Sequence, residues 1–538
     1  MKQYIYYIYH TPCNLFNNIT HSLFLSPLPT GEGVRGRGRS TTGFILLLLF
    51  LTSCSDFLDR SPQGQFTEDD NPGALSEGKI YNIYTMMRNY NITSGTPAFA
   101  IEYFRSEDQE KGSEVSDGAS EAEMYDNFNY NPTNGLLKAY WNQNYAVIFQ
   151  CNDLLEDLKQ ATEMTDEMKI NRGEALFCRA YCYFNLVRAF GQTPLITFKV
   201  NESAEANVPK TTETELYKQI DADLTEAEGL LPKSWPASFL GRLTWGAARA
   251  LHARTYMMRN DWQNMYDAST DVINSGLYNL DTPYDVIFTE AGENSSESVF
   301  EIQAASTSAL PQSDKIGSQF AEVQGVRGSG KWDLGWGWNM ATRLMAQAYE
   351  PGDPRKDATL LYFRRSDKDP VTPENTNKPY GESPVSEAMG YAFNKKAYTD
   401  PALRAEFTNK GFWVNIRIIR YGDVVLMGAE SANELGKTAE ASNYLEMVRA
   451  RARGNDSSVL PKITSLDPTT LRDAIRHERR VELGLEPGRF YDLVRWGIAS
   501  EVLHAAGKVN YQPKNALLPI PQDEIDKSKG VLVQNPEY

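Results

Sequence analysis

The residues best placed to do chemistry in this chain are aromatic. Gly330-Lys331-Trp332-Asp333-Leu334-Gly335-Trp336-Gly337-Trp338-Asn339 sets three tryptophans among glycines and polar residues. Trp336 and Trp338 flank one glycine, so in an extended loop both rings face the same side. A flat indole meets the C–H face of a sugar ring, and Asp or Asn meets the hydroxyls at its rim. Trp332, Trp336, Trp338 and Asn339 are therefore candidate ligand contacts. Arg105, Asp108 and Tyr125 form a second polar and aromatic cluster with the same chemistry.

Other chemistries are weakly written. Gly325–Lys331 follows a phosphate-loop pattern until Trp332, which stands where a Ser or Thr would ligate magnesium. Glu478 and Glu482 lie one helical turn apart, as an acid–base dyad would. Yet Arg479, Glu482, Arg489, Asp492 and Arg495 interleave with Val481, Leu483, Phe490, Leu493 and Trp496, which reads as ion pairing beside an apolar face. The chain has five His and five Cys, and no CxxC. Cys178 and Cys182 share a helix face without a His at ligand spacing, so small buried hydrophobes are expected and neither metal nor cofactor is. A formal net charge of −16 argues against a protein that tracks nucleic-acid phosphates.

Near the start, Arg35, Arg37 and Arg39 precede the apolar run Phe44–Leu51, and Leu51-Thr52-Ser53-Cys54 follows. That run is far below the roughly 20 residues a spanning helix needs. The pattern is a secretory signal whose cut falls at a cysteine, the lipobox arrangement of bacterial lipoproteins. Cys54 is expected to carry lipid, which holds a domain to a membrane at about 0.8 kcal/mol per buried methylene. Residues 1–53 are read as a leader, an over-long start followed by the signal.

The elements that must hold these residues are mostly helical. Stripes of apolar residues predict helices from Gly78, over Leu137–Leu158 and Asn171–Phe190, and along Leu216–Leu231. Thr93–Pro132 reads as a polar loop. Trp245–Met258 with Asn264–Ile273, and Val424–Leu435 with Ala439–Ala452, resemble tetratricopeptide pairs, which must stack to bury their faces. Ser275–Tyr398 is rich in Gly, Pro, Asn and Ser, with a β-like run at Ser298–Gln303. Trp413–Ile419 alternates as a half-exposed strand would, and Asp467-Pro468 is a helix start.

Three carboxy-terminal segments resemble the SusD/RagB family of nutrient-binding lipoproteins. They are Arg420–Glu430 continuing through Asn433-Glu434-Leu435-Gly436 to Val448-Arg449, then Ile475–Trp496, then Leu518-Pro519-Ile520-Pro521 with Gln534–Tyr538. Arg179-Ala180-Tyr181, Tyr183-Phe184, Phe190-Gly191 and Pro194 extend the resemblance, as does the lipobox with Asp56-Phe57-Leu58. Gly422, Gly428 and Glu537 depart from it, Glu537 standing where the family usually has glycine.

The resemblance implies a mostly α fold: a SusD-like scaffold of tetratricopeptide-type repeats with a long loop-rich insertion containing short β-strands. Residues 54–538 would form one domain, with 78–275 and 413–538 as scaffold and 276–412 as the ligand-facing insertion. The implied function is non-enzymatic capture of a nutrient, foremost an oligo- or polysaccharide. Delivery to a SusC-like TonB-dependent transporter would follow, at the exterior face of the outer membrane. The alternatives are a surface glycosidase and a repeat scaffold for envelope assembly.

Overall fold

Asn134, Thr165, Thr212, Thr244, Asp261 and Asp467 each accept a backbone N–H in the first turn of a long helix. These caps satisfy donors that no helix can satisfy by itself. The computed structural model describes residues 74–113, 117, 120–361, 379–382 and 392–538. The long helices are α1 (Ala74–Met87), α2 (Gly135–Gln160), α3 (Asp166–Phe190), α4 (Glu213–Leu230), α5 (Trp245–Met258), α6 (Trp262–Asn274), α7 (Tyr421–Glu434), α8 (Thr438–Arg453) and α9 (Pro468–Glu482). Each of α2 to α7 packs on the next, and α7 also packs on α8 and α9. The chain thus leaves the stack after α6 and re-enters it at α7, against α6 itself. This explains why the repeat period breaks in sequence while the stack stays continuous.

Between α6 and α7 lie short elements. Among the described residues every sheet is two-stranded and antiparallel. Strand β1 (Gln109–Gly112) pairs with β5 (Trp338–Ala341), and β2 (Thr193–Pro194) with β3 (Lys210–Thr211). Strand β4 (Ser298–Ile302) pairs with β8 (Ile416–Arg420), and β6 (Leu360–Leu361) with β7 (Phe393–Asn394).

The structure corrects two expectations. Residues 93–132 are not one loop: they hold a helix at Thr96–Glu102, β1 and a helix at Ser120–Asp126. The first of these has Pro97 in its first turn, and all its residues are buried, so it shows no amphipathic stripe. Residues 413–419 are not half exposed either. Asn415 is fully buried because Nδ2 donates to Glu301 and Gln303 while Oδ1 accepts from the Ala304 N–H.

Buried ion pairs tie the insertion to the scaffold. Glu482 accepts from Arg451 at 2.6 Å and from Arg420 and Arg355, each at 3.1 Å. Arg355 also reaches Glu478 at 2.5 Å and Asp353 at 2.8 Å. Both carboxylates of the conceivable acid–base dyad are therefore spent on guanidiniums inside the core. A methyl group at Gly422 would stand 3.0 Å from Glu297 and 3.1 Å from Glu482, so the glycine leaves room for this cluster. Glu537 adopts φ 68°, a left-handed conformation in which glycine is the unstrained residue.

His252 on α5 makes a smaller link. It contacts Glu228 at 2.7 Å and Asp221 at 3.3 Å, both on α4, and the two carboxylates also pair with Arg249 and Arg259. Burial alone would lower the imidazole pKa, but the carboxylates outweigh burial and hold it above the ordinary 6.5. A raised folded pKa contributes stability that is complete below the unfolded value and is lost as pH rises through the folded value. As pH rises above the ordinary 6.5, melting curves should fall more steeply for the wild type than for His252→Gln. Parallel curves would contradict the link.

Candidate functional site

The tryptophan segment is laced to its own neighbours. Trp336 N–H donates to the Glu322 carbonyl, Gly337 N–H to the Gly325 carbonyl, and Leu334 and Gly335 N–H to the Val326 carbonyl. A side chain at Gly335 would place its first carbon 1.9 Å from the Glu322 carbonyl oxygen, so this approach requires glycine. Gly337 has φ 72°, which bends the chain between the two tryptophans. The loop is not extended, and the rings do not lie side by side on one face.

Trp338 turns inward on β5 and is 5% exposed. Its Nε1–H donates to Asp117 at 3.2 Å, and the Lys111 ammonium stands 5.3 Å from its ring centroid. Lys111 in turn pairs with Asp117 at 2.8 Å. Trp336 remains half-buried at the surface, with its ring centroid 5.5 Å from Trp338 and edge-on to it. Tyr90, just beyond α1, meets Trp336 at 6.4 Å with 61° between the planes. The two half-buried rings form a corner. Gly95 lets the Tyr90 ring lie close over the backbone, since a Cβ there would come within 2.0 Å of it.

Polar groups border this corner. Arg327 donates to Ser113 at 2.8 Å, stands 3.7 Å from the Asp117 carboxylate and keeps 37% of its side chain exposed. Its Cβ lies 3.0 Å from where a side chain on Gly337 would begin. Asn89 is exposed and Asn91 half-buried, with the Asn89 side chain accepting the Asn91 N–H. Beneath, Arg88 donates to the carbonyls of Gln303, Lys315 and Gly317 and so pins the neighbouring loop. Aromatic faces beside a partly exposed arginine and amides are what a saccharide needs: C–H contact below and hydrogen bonds at the rim.

The other sequence candidates are placed differently. Trp332 is 1% exposed and packs with Val326, Leu334, Met340, Leu361, Phe393 and Tyr398. Asn339 is fully buried, donating to Gln324 and to the Leu485 carbonyl while accepting from Gln109. Arg105 is buried over the Phe490 ring at 4.2 Å and donates to Tyr491. Tyr125 is buried, stacks on Tyr130 and donates to Asn134. Asp108 is buried in a bidentate pair with Arg480. These side chains, with Trp338, are structural members of the core, and a ligand at the surface does not reach them. Cys54 lies outside the described residues.

Sequence reasoning missed Tyr90 and Arg327. Asn89-Tyr90-Asn91, an aromatic between two amides directly after a helical stripe, was the available signal for the first. Arg327 lies in the Gly325–Lys331 segment, whose pattern pointed to phosphate and not to a sugar.

Glu107 gives a test of the buried ion pairing. Arg489 donates to it at 2.6 Å, and Arg480 stands 3.5 Å away. Arg489→Ala should cost about 2 kcal/mol, because Glu107 is buried and keeps only the longer partner. An unchanged melting temperature would refute the pairing.

Two family models match the chain. One, described as the SusD family, covers residues 296–538, and one described as starch-binding associating with outer membrane covers residues 56–257. SusD-like protein P2 of Formosa agariphila is 28% identical over 92% of this chain and 99% of its own length. A SusD-like protein of Bacteroides ovatus is 25% identical over 83% of this chain and 80% of its own. A solved laminarin binding SusD-like protein superposes with TM-score 0.70 at 28% identity, over 86% of this chain and 99% of its own. Surface glycan-binding protein A from Bacteroides thetaiotaomicron, solved with laminarihexaose, gives TM-score 0.71 at 24% identity, over 86% and 99%.

Proposed function

Because the chain belongs to the SusD/RagB family, we propose that it is a non-catalytic lipoprotein that captures a glycan at the outer membrane. The observation that carries this reading is the surface corner of Tyr90 and Trp336 beside the partly exposed Arg327 side chain. The bound class is an oligo- or polysaccharide, and the laminarin-binding relative favours a glucan. In this reading residues 1–53 are a leader and Cys54 carries the lipid anchor. Residues 54–538 act as one unit, with 78–275 and 413–538 holding the frame. Residues 276–412, together with Tyr90, present the ligand face. The protein faces the exterior and pairs with a SusC-like TonB-dependent transporter. It delivers its load by closing over the barrel mouth, a rigid-body step that leaves the glycan's bonds intact.

A glycan array on the delipidated protein tests this reading, followed by a reducing-end assay on each glycan that binds. Saturable binding without new reducing ends is expected. New reducing ends would favour the glycosidase reading, and binding to no glycan would favour a repeat scaffold.

A further inference from the structure

A crevice of about 80 Å³ opens between α3, α5, β8 and the segment after α9. It is separate from the aromatic corner, and Tyr90, Arg327 and Trp336 are not part of its wall. The volume would hold roughly six waters.

The wall is rich in charge, yet its acceptors are spent. Glu102 accepts from Tyr140 at 2.7 Å and pairs with Arg188 at 3.3 Å. Asp423 accepts from Arg479 at 2.5 Å and Arg254 at 2.7 Å. Glu486 is held by Arg420 and Lys396, and Asp492 by Arg479 and Arg495. What remains unpaired can donate a hydrogen bond. The Tyr103 and Tyr181 hydroxyls, on side chains at least nine-tenths buried, line the crevice without a hydrogen-bond partner among the described residues. Arg188 Nε is buried without a partner, and Arg254 uses only Nη2. The Arg188 guanidinium is fixed between the rings of Phe184 at 4.4 Å and Tyr491 at 4.6 Å, so it cannot swing away to satisfy itself.

We propose that this crevice is a binding site for a small oxyanion, a sulfate or carboxylate, held by Tyr103, Tyr181, Arg188 and Arg254. Donors that face a crevice without a protein partner suit an occupant made of acceptors, and charge-assisted hydrogen bonds are the stronger kind. The oxyanion is either free or carried by an acidic sugar. The site does not depend on the glycan reading of the aromatic corner.

Calorimetric titration with sodium sulfate, against sodium chloride at matched ionic strength, tests it. Sulfate raises the melting temperature of proteins generally by exclusion from their surfaces, so saturable heat at one site per chain is the readout. Tyr103→Phe/Tyr181→Phe keeps both rings and removes both hydroxyls. Its sulfate affinity should fall about tenfold, with its melting temperature in chloride unchanged. Should that pair not fold, a selenate soak of wild-type crystals replaces it, with an anomalous peak expected between Tyr103, Tyr181 and Arg254. Competition by glucuronate would assign the anion to an acidic sugar, and sulfate binding without such competition would assign it to a free ion; both support the site. No saturable heat, equal affinity in wild type and variant, or no selenate peak would overturn it and leave a water-filled crevice.

Discussion

Glu482→Gln is expected to destabilise the fold by about 3–5 kcal/mol. The side chain is fully buried and accepts from three arginines, Arg355, Arg420 and Arg451. An amide keeps the volume but removes the charge, leaving those guanidiniums to share the remaining carboxylates. Breaking one partner of a buried ionic cluster costs more than the cluster contributes, because the others stay behind in a low-dielectric site. The effect is also predicted to depend on pH. Burial would raise the Glu482 pKa, but Arg451, Arg420 and Arg355 override it and hold the carboxyl well below its ordinary 4.5. A depressed folded pKa contributes stability above the unfolded value and loses it as pH falls towards the folded value. Melting curves of wild type and variant should therefore differ most above pH 4.5 and converge on acidification. A constant gap, or no gap at neutral pH, would contradict the ion-pair account.

Trp336→Ala should weaken glycan binding by about 30-fold or more, the loss typical of an aromatic that anchors an interface. Its melting temperature should barely change, because the ring is only half-buried. Trp338→Ala should behave differently. That ring is 5% exposed, backs Trp336 and is clamped by Asp117 and Lys111. Removing it opens a cavity in the core, at a cost of about 3–5 kcal/mol, and loosens Trp336 as a secondary effect. Calorimetry with an array-selected glycan, run beside thermal melts, separates the two roles. Equal melting losses in both variants would mean that Trp336 is a packing residue and not a contact.

The helical frame was legible because its signals are local. Asp467-Pro468 opens α9 as its composition dictates, and Gly191 closes α3 with φ 69°. The apolar stripes of the two repeat pairs fall within a few residues of α5 to α8. The ligand face was less legible because exposure is not local. Asp108 sits in a polar stretch and looks solvated, yet its partner Arg480 lies 372 residues further on. Arg105 likewise reaches Tyr491 across 386 residues. Trp336 and Trp338 share Gly337 as a neighbour, and the backbone bend there sends one outward and the other into the core. Tyr90 joins the site from the start of a short π-helix, Tyr90–Ser94, 246 residues before Trp336, and no periodicity links the two.

The most direct measurement is a crystal structure with the array-selected oligosaccharide bound. A sugar ring should lie in the corner of Tyr90 and Trp336, with hydroxyls reaching Arg327 or the flanking asparagines. Sugar density at any other surface, with that corner left empty, would contradict the account.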